Sequence, residues 1–300
     1  MRTIPSSELI INTDGSVFHL HLKPEQLADR IILVGDPGRV ETVARHFDSC
    51  ECEVASREFR TVTGYYRGCR MTVLSTGIGT DNIDIVLTEL DALANIDFAT
   101  RTVKPHHRQL TLLRLGTSGA LQPDIPLGTL VFSRISGGLD GMLNFYRERD
   151  SVCDTALEEA FTQATRWDSR FAAPYFVEAD ATLYNAFRDC TVAGITLSAG
   201  GFYAPQGRHV RLEPAHPDML ECFERFEWHG LRITNMEMES SAVAGLGSLL
   251  GHRAATVCTI IAQRRQQESN PDYSAYIEHM ISTALDRLST LAPPDKSADQ

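Results

Sequence analysis

The chain has 300 residues, 43% of them apolar and 22% charged, with a formal net charge of −11. This is the composition of a soluble globular chain, and at this length a core can bury about three quarters of the unfolded surface. The acidity argues against a general nucleic-acid or anionic-membrane binder, although a few arginines can reverse the field in one cleft and admit a small anion.

Residues 1–16 read as a peripheral segment without the long apolar run of a signal peptide, and no stretch approaches the roughly 20 apolar residues that cross a bilayer. IILVG (31–35) is a short apolar strand. DPGRVETVARHF opens a helix, with Pro37 suited to a first turn and Val40, Val43 and Ala44 at helical spacing. Segments 52–59, 61–67 and 70–76 are β-branched, punctuated by Gly64 and Gly68, and read as meandering strands. The run 81–95 reads as a helix capped by Asp81 or Asn82, with Ile85, Leu87, Leu90 and Leu93 as its apolar contacts. His106 and His107 follow Pro105 in a polar loop and read as solvated. TLLRLG (111–116) and TLVFSR (129–134) are predicted strands, 154–166 and 235–251 predicted helices, AATVCTIIA (254–262) a buried strand and 272–291 a closing helix. Such alternation predicts an α/β sandwich with helices on both faces of a mixed sheet, in one domain over 17–292 with a flexible tail at 293–300. Seven cysteines from Cys50 to Cys258 show no metal-finger spacing and imply the reduced thiols of a cytoplasm, with Cys50 and Cys52 unpaired on a strand edge.

Four stretches suggest chemistry. GDPGR (35–39) leaves a strand and opens a helix, so free N–H groups and Arg39 could hold an anion; a plain Gly-Pro turn with a surface arginine would look the same. RLGTSGA (114–120) places Arg114 among apolar neighbours at a predicted strand end, either as a second anion ligand helped by Thr117 or as a salt-bridged arginine before a turn. NMEMES (235–240) sets Glu237 and Glu239 at a predicted helix start, where acids favour the dipole, or where a carboxylate could accept from the vicinal hydroxyls of a sugar. FYAPQGR (202–208) holds a proline and a glycine, an aromatic, an amide and a guanidinium; if extended, it puts Gln206 and Arg208 on one side.

Taken in order, VFHLHL, ILVGDPGRV, SREF, LSTGIG, RLGTSGALQP, GGLDG, FYAPQGR, NMEMES and TIIAQRRQQE resemble the nucleoside phosphorylase-I family, and within it the uridine phosphorylases, over roughly Val17 to Leu291. The resemblance implies a single-domain α/β/α sandwich around a mixed, partly closed sheet, and reversible phosphorolysis of uridine to uracil and ribose 1-phosphate in pyrimidine salvage or catabolism. It implies a phosphate site at Gly35, Arg39, Arg114 and Thr117, joined by Arg57 from a neighbouring subunit. It implies ribose contacts at Met238 and Glu239 with Glu237 beside them, and His19 lent by the neighbour. Phe202 would pack on sugar and base, Gln206 and Arg208 would hydrogen-bond uracil, and Arg264 would support them; Arg114, Arg208 and Glu239 would carry catalysis.

The implied partners are a nucleoside, phosphate as co-substrate and further copies of the chain, as a dimer or a trimer of dimers with shared sites, with no metal or redox cofactor. Thr80-Asp81-Asn82 replaces the Gly-Pro-Ser of the loop from which, with Glu58, some members of the family build a monovalent-cation site, so the resemblance leaves a monovalent cation open here. Met236 stands where an aromatic is common, 101–110 reads as an insertion, and the segment after GGLDG is short. A purine phosphorylase or nucleosidase would need an acid where Gln263 and Arg264 stand; a non-catalytic nucleoside binder would not need all the charged residues kept here.

Overall fold

The computed structural model describes residues 2–264 and 268–292; the tail at 293–300 and residues 265–267 of TIIAQRRQQE lie outside the described residues. The chain runs β1 (Arg30–Val34), α1 (Pro37–Ala44), β2 (Ser49–Ser56), β3 (Phe59–Tyr66), β4 (Cys69–Ser75), α2 (Thr80–Asn95) and the short pair β5 (Ile96–Asp97) and β6 (Thr102–Val103). It continues with β7 (Thr111–Ala120), β8 (Leu130–Gly138), α3 (Thr155–Thr165), β9 (Tyr175–Glu178), α4 (Ala181–Phe187) and β10 (Val192–Ser198). After the turn that holds FYAPQGR come α5 (Met219–Arg225), β11 (Glu227–Trp228), β12 (Leu231–Glu237), α6 (Ser240–Leu249), β13 (Arg253–Gln263), β14 (Glu268–Ser269) and α7 (Ser274–Thr290).

Apart from the separate β5–β6 pair, the strands form one mixed sheet in the order β11-β12-β10-β8-β13-β7-β1-β4-β3-β2, with β9 on β8 and β14 on β13. Beyond that path, β12 also pairs antiparallel with β7, Asn235 opposite Ala120 and Met236 opposite Gly119. That pairing closes β7, β13, β8, β10 and β12 into a ring, so the expected partly closed sheet is what the chain builds. The antiparallel β2 lies at the open edge, with unpaired Cys50 and Cys52 on it.

The two-residue strand period sorts the core into two layers. Ile31, Leu33 and Leu112 pack under α2 and α6. Ile32, Val34, Leu113 and Leu115 face the other way, against α1, α4 and α7. Phe161, Phe176, Phe223 and Phe226 form a third cluster beneath α3 and α5.

Local differences from the sequence reading have physical causes. The predicted helix 235–251 is a strand through Glu237 and a helix only from Ser240, because the ladders to β10 and β7 override the helix propensity of Met and Glu. β7 does not end at Gly116: its ladder with β13 runs on to Ala120, so Thr117 is in a strand, not a turn. α2 is capped by neither Asp81 nor Asn82. It starts at Thr80 after Gly79, which has φ 100° and donates its N–H to Glu239. In α1, Pro37 does open the helix, and Asp36 caps it by accepting from the Gly38 N–H. The 101–110 region carries β6, which pairs with β5 at the end of α2, and Arg101 donates to the carbonyls of Ile4, Pro5 and Leu9, which ties the N-terminal segment down.

Candidate active site

A cavity of about 910 Å³ opens where β1, β4, β7, β12 and β13 reach their C-terminal ends, the usual place for a ligand in an α/β sheet. Ten of the site residues inferred from sequence line it: Gly35, Arg39, Arg114, Thr117, Phe202, Gln206, Arg208, Glu237, Met238 and Glu239.

At one end stands Arg114, 4% exposed, in the middle of β7. The partner that its burial demanded is a pair of acids. Nη2 donates to the Glu239 carboxylate, and Nη1 lies 3.0 Å from Glu237 Oε2. Burial alone would lower the Arg114 pKa, but the charges of Glu239 and Glu237 outweigh it and the net shift is upward. The guanidinium folds back over Gly116, where any Cβ would overlap it and crowd the buried Cys258 Sγ. Glu239 is pushed the other way for a carboxyl: burial, and then Glu237, raise its pKa against the pull of Arg114. Arg39, from the first turn of α1, reaches the Leu115 carbonyl at 3.3 Å; burial and the nearby Arg114 lower its pKa.

At the other end is the turn after β10. It is not extended. Ala204–Gln206 form a single 3-10 turn closed by Gly207 at φ 69°, which curls Arg208 back onto the turn. Arg208 Nη1 donates to Gln206 Oε1 and to the Phe202 carbonyl, both at 2.6 Å, and its guanidinium stacks 3.6 Å from the Phe202 ring centroid. So Gln206 and Arg208 do share a side, through a turn and not through strand alternation. Arg264 lies behind them, not on the cavity, and donates to the Gln206 carbonyl at 2.6 Å. Burial and then the Arg264 charge bring the Arg208 pKa down to about 10. Gln263 turns away, donating to the Gln122 and Ile125 carbonyls.

His19 and Arg57 do not line the cavity. They meet instead around Phe18: the Arg57 guanidinium is 5.7 Å over its ring and the His19 ring is edge-on at 4.8 Å. His19 Nδ1 and N both contact the Glu89 carboxylate. Arg57 is exposed and has φ +55°, an uncommon conformation for a side chain of its size.

Sequence reasoning missed Asn270 and Pro271 on the cavity wall, which no motif marks; Asn270 is held there by its N–H to the Ile261 carbonyl. Asn82 and Glu58 also line the cavity, with the Asn82 amide donating to Glu58 at 3.3 Å.

His107 is more than solvated. It stacks on His252 and contacts the Leu250 carbonyl, and with Asp91 the two rings place their ligand atoms within 4.8 Å. His252 Nδ1 accepts from the Leu110 N–H, and its buried Nε2 lies 3.2 Å from Asp91 without a hydrogen bond.

A family model described as the phosphorylase superfamily matches residues 29–291. A uridine phosphorylase of Haemophilus influenzae is 31% identical over 263 residues, 85% of this chain and 89% of that one. A uridine phosphorylase of Thermococcus kodakarensis is 30% identical over 268 residues, 88% of this chain and 83% of that one. Among solved structures, a Trypanosoma brucei nucleoside phosphorylase described as showing uridine phosphorylase activity superposes with a TM-score of 0.85 at 29% identity, covering 94% of this chain and 99% of that one.

Proposed function

The chain belongs to the phosphorylase superfamily, and from that premise we propose that it cleaves pyrimidine nucleosides with phosphate, uridine and phosphate giving uracil and ribose 1-phosphate. One observation carries the reading. An amide–guanidinium pair suited to a uracil edge faces Arg39, Arg114 and Thr117 across a single cavity, with Glu239 between them.

The chemistry follows from that layout. As the C1′–N1 bond lengthens, its electron pair moves onto the base and positive charge grows on the ribose, as in other oxocarbenium-like reactions. Phosphate held by Gly35, Arg39, Arg114 and Thr117 stabilises the ribosyl cation, and one of its oxygens then forms the new bond to C1′. Holding the anion in attack position replaces an improbable encounter. Arg208 and Gln206 receive the base, and solvent supplies its proton afterwards. Uracil offers two carbonyl acceptors and one N3–H between them; Gln206 matches the N3–H and one carbonyl, and Arg208 the charge that develops. To do so Arg208 releases Gln206 Oε1, to which its Nη1 donates.

Glu239 grips the ribose hydroxyls. Among the described residues its oxygens accept from the Gly79 N–H and from Arg114, which leaves lone pairs for the sugar. Among the described residues, the cavity carboxylates Asp36, Glu58, Glu237 and Glu239 make no hydrogen bond or ion pair with the 202–208 turn, and the Gln263 amide donates to the Gln122 and Ile125 carbonyls, which favours a pyrimidine over a purine base.

Charge supports a shared site. Arg39 and Arg114 are balanced by Glu237 and Glu239, so this end of the cavity offers a dianion no surplus positive charge of its own. An arginine from outside would supply it, and Arg57 stands exposed beside His19, away from its own cavity. The functional unit is then at least a dimer, in which Arg57 and His19 serve the neighbour's phosphate and ribose. The unpaired cysteines suit a cytoplasmic enzyme.

A nucleoside panel with and without phosphate tests the reaction. Uracil should appear from uridine only with phosphate; equal release without it makes the chain a hydrolase, and inosine as the better substrate ends the uracil assignment. Mixed oligomers of Arg57→Ala and Glu239→Ala chains, each nearly inactive, should regain activity. No recovery in demonstrated mixed oligomers defeats the shared site.

A further inference from the structure

Two acids follow one another at the end of β12, and their surroundings differ in a way that assigns them different work. Glu237 Oε1 accepts from Ser198 Oγ at 2.5 Å, Ser240 Oγ at 2.8 Å and the Ser240 N–H at 3.0 Å. Its Oε2 accepts from the Glu239 N–H at 2.8 Å and the Ser240 N–H at 3.0 Å, and lies 3.0 Å from Arg114 Nη1. A carboxylate has about four lone-pair positions, and these donors fill them. Glu237 borders the cavity, yet its side chain is 2% exposed. Glu239, two residues on, accepts among the described residues from the Gly79 N–H on Oε1 and from Arg114 on Oε2.

We infer that Glu237 makes no contact with the nucleoside and is a positioning residue, which locks the Glu239 backbone and the Arg114 guanidinium into register. The inference rests on the phosphorolytic reading of the same site. Its mechanics are visible in α6. The first N–H groups of that helix have no intrahelical acceptors. Those of Glu239 and Ser240 go to Glu237, and that of Ser241 goes to Ser198 Oγ at 2.9 Å. The cap of α6 is thus supplied from the ends of β12 and β10, and the residue at the cap position, Glu239, keeps its side chain for the cavity.

The anchoring extends outward through the GGLDG motif. Ser241 Oγ donates to Asp140 Oδ2 at 3.0 Å, and Tyr175 Oη donates to Asp140 Oδ1 at 3.0 Å. Asp140 also accepts the Met142 N–H at 2.7 Å. Burial raises the Asp140 pKa against these donors. Asp140 therefore ties the α6 terminus to β9 and to the turn after β8, and gives a role to a motif that touches neither phosphate nor base.

The experiment compares Glu237→Gln, Glu239→Gln and Ser198→Ala on the nucleoside the wild-type chain cleaves, so a different base preference leaves the test standing. Each is assayed on the ribonucleoside and its 2′-deoxy and 3′-deoxy analogues. If Glu237 positions, Glu237→Gln lowers kcat about tenfold to a hundredfold on all three sugars, because no hydroxyl is its partner. If it binds a hydroxyl, the loss disappears on the analogue lacking that hydroxyl, and the inference falls. Ser198→Ala, which keeps the charge and cannot reach the sugar, should lower kcat severalfold with KM for nucleoside little changed; wild-type kinetics there also overturn the inference.

The pH profile adds a readout that a purely structural role would leave still. The groups facing Glu239 are Arg114 on β7, Glu237 on β12, the Cys258 thiol on β13 and the Gly79 N–H before α2. Removing the Glu237 charge makes the ionised form of Glu239 easier to keep, so the acid limb of kcat/KM moves to lower pH. Phosphate titrates in the same range but is common to both enzymes. An unmoved limb counts against the inference.

Discussion

The two ends of the cleft each present an arginine, and the two are held in opposite ways. Arg114 lies inside β7, buried, clamped by two carboxylates, its pKa raised. Arg208 follows a one-turn helix, half-buried, stacked on Phe202, with a second arginine behind it and, among the described residues, no carboxylate in salt-bridge contact, its pKa lowered to about 10. A neutralised arginine is a fixed part of the framework, and its removal strands two buried acids. An arginine without a close counter-charge favours the arrival of an anion, and on the proposed reaction the departing base is that anion. On that proposal the same residue type serves orientation at one end and charge capture at the other.

The comparison breaks most sharply with Arg114→Ala. It should cost about 3–5 kcal/mol of stability by leaving buried charge uncompensated, and kcat/KM for phosphate should fall steeply as well. Thermal unfolding and phosphate titration check both; an unchanged Tm would mean that the acids simply take up protons. Arg208→Ala should do the reverse, lowering kcat by roughly 10²–10³ with Tm almost unmoved. Equal loss of stability in the two variants would erase the distinction drawn here. Ala262, on the cavity wall, sharpens the base end. Its small side chain leaves room at the pyrimidine C5 edge, so 5-methyluridine should be cleaved nearly as well as uridine. Ala262→Val should then cost the methyl analogue about 1–3 kcal/mol in kcat/KM relative to uridine. The smallest effect expected is that of potassium. With the Asn82 amide on Glu58, rates in sodium-free and potassium-free buffer of matched ionic strength should agree within error; strong activation would show that this amide yields to a cation.

The same contrast explains what could be read from the residues alone. β1 and the start of α1 are local patterns and stand where expected; on α2, Leu87, Leu90 and Leu93 are buried as expected, while Ile85 is only partly covered and Ile83 and Val86 complete the buried face. Arg114 was legible because a buried arginine demands a partner, but the identity of that partner was not, since Glu237 and Glu239 arrive from 123 and 125 positions away through sheet closure. Asn235–Glu237 misread as helix for the same reason: the ladder to β10 and β7 is a tertiary fact. The turn 202–208 showed its side chains but not its shape, because Gly207 at positive φ, which sends Arg208 back over Phe202, carries no sign in the letters. β9, β10, α4 and α5 went unassigned; they are short, and their apolar residues complete clusters assembled from distant segments.

The rungs between β12 and β7, Asn235 opposite Ala120 and Met236 opposite Gly119, have a consequence in time. β7 is shared by the flat part of the sheet and the closed ring, so the Arg114 end cannot open without parting strands bonded on both sides. The base-reading turn has no such ties. Its backbone bonds are those of one 3-10 turn plus the grip of Arg264. Amide protons on β7 and β12 should therefore exchange with deuterium only as fast as the whole fold unravels, while those of 203–208 exchange through local opening many times sooner. The cleft has, in effect, one slow wall and one fast wall.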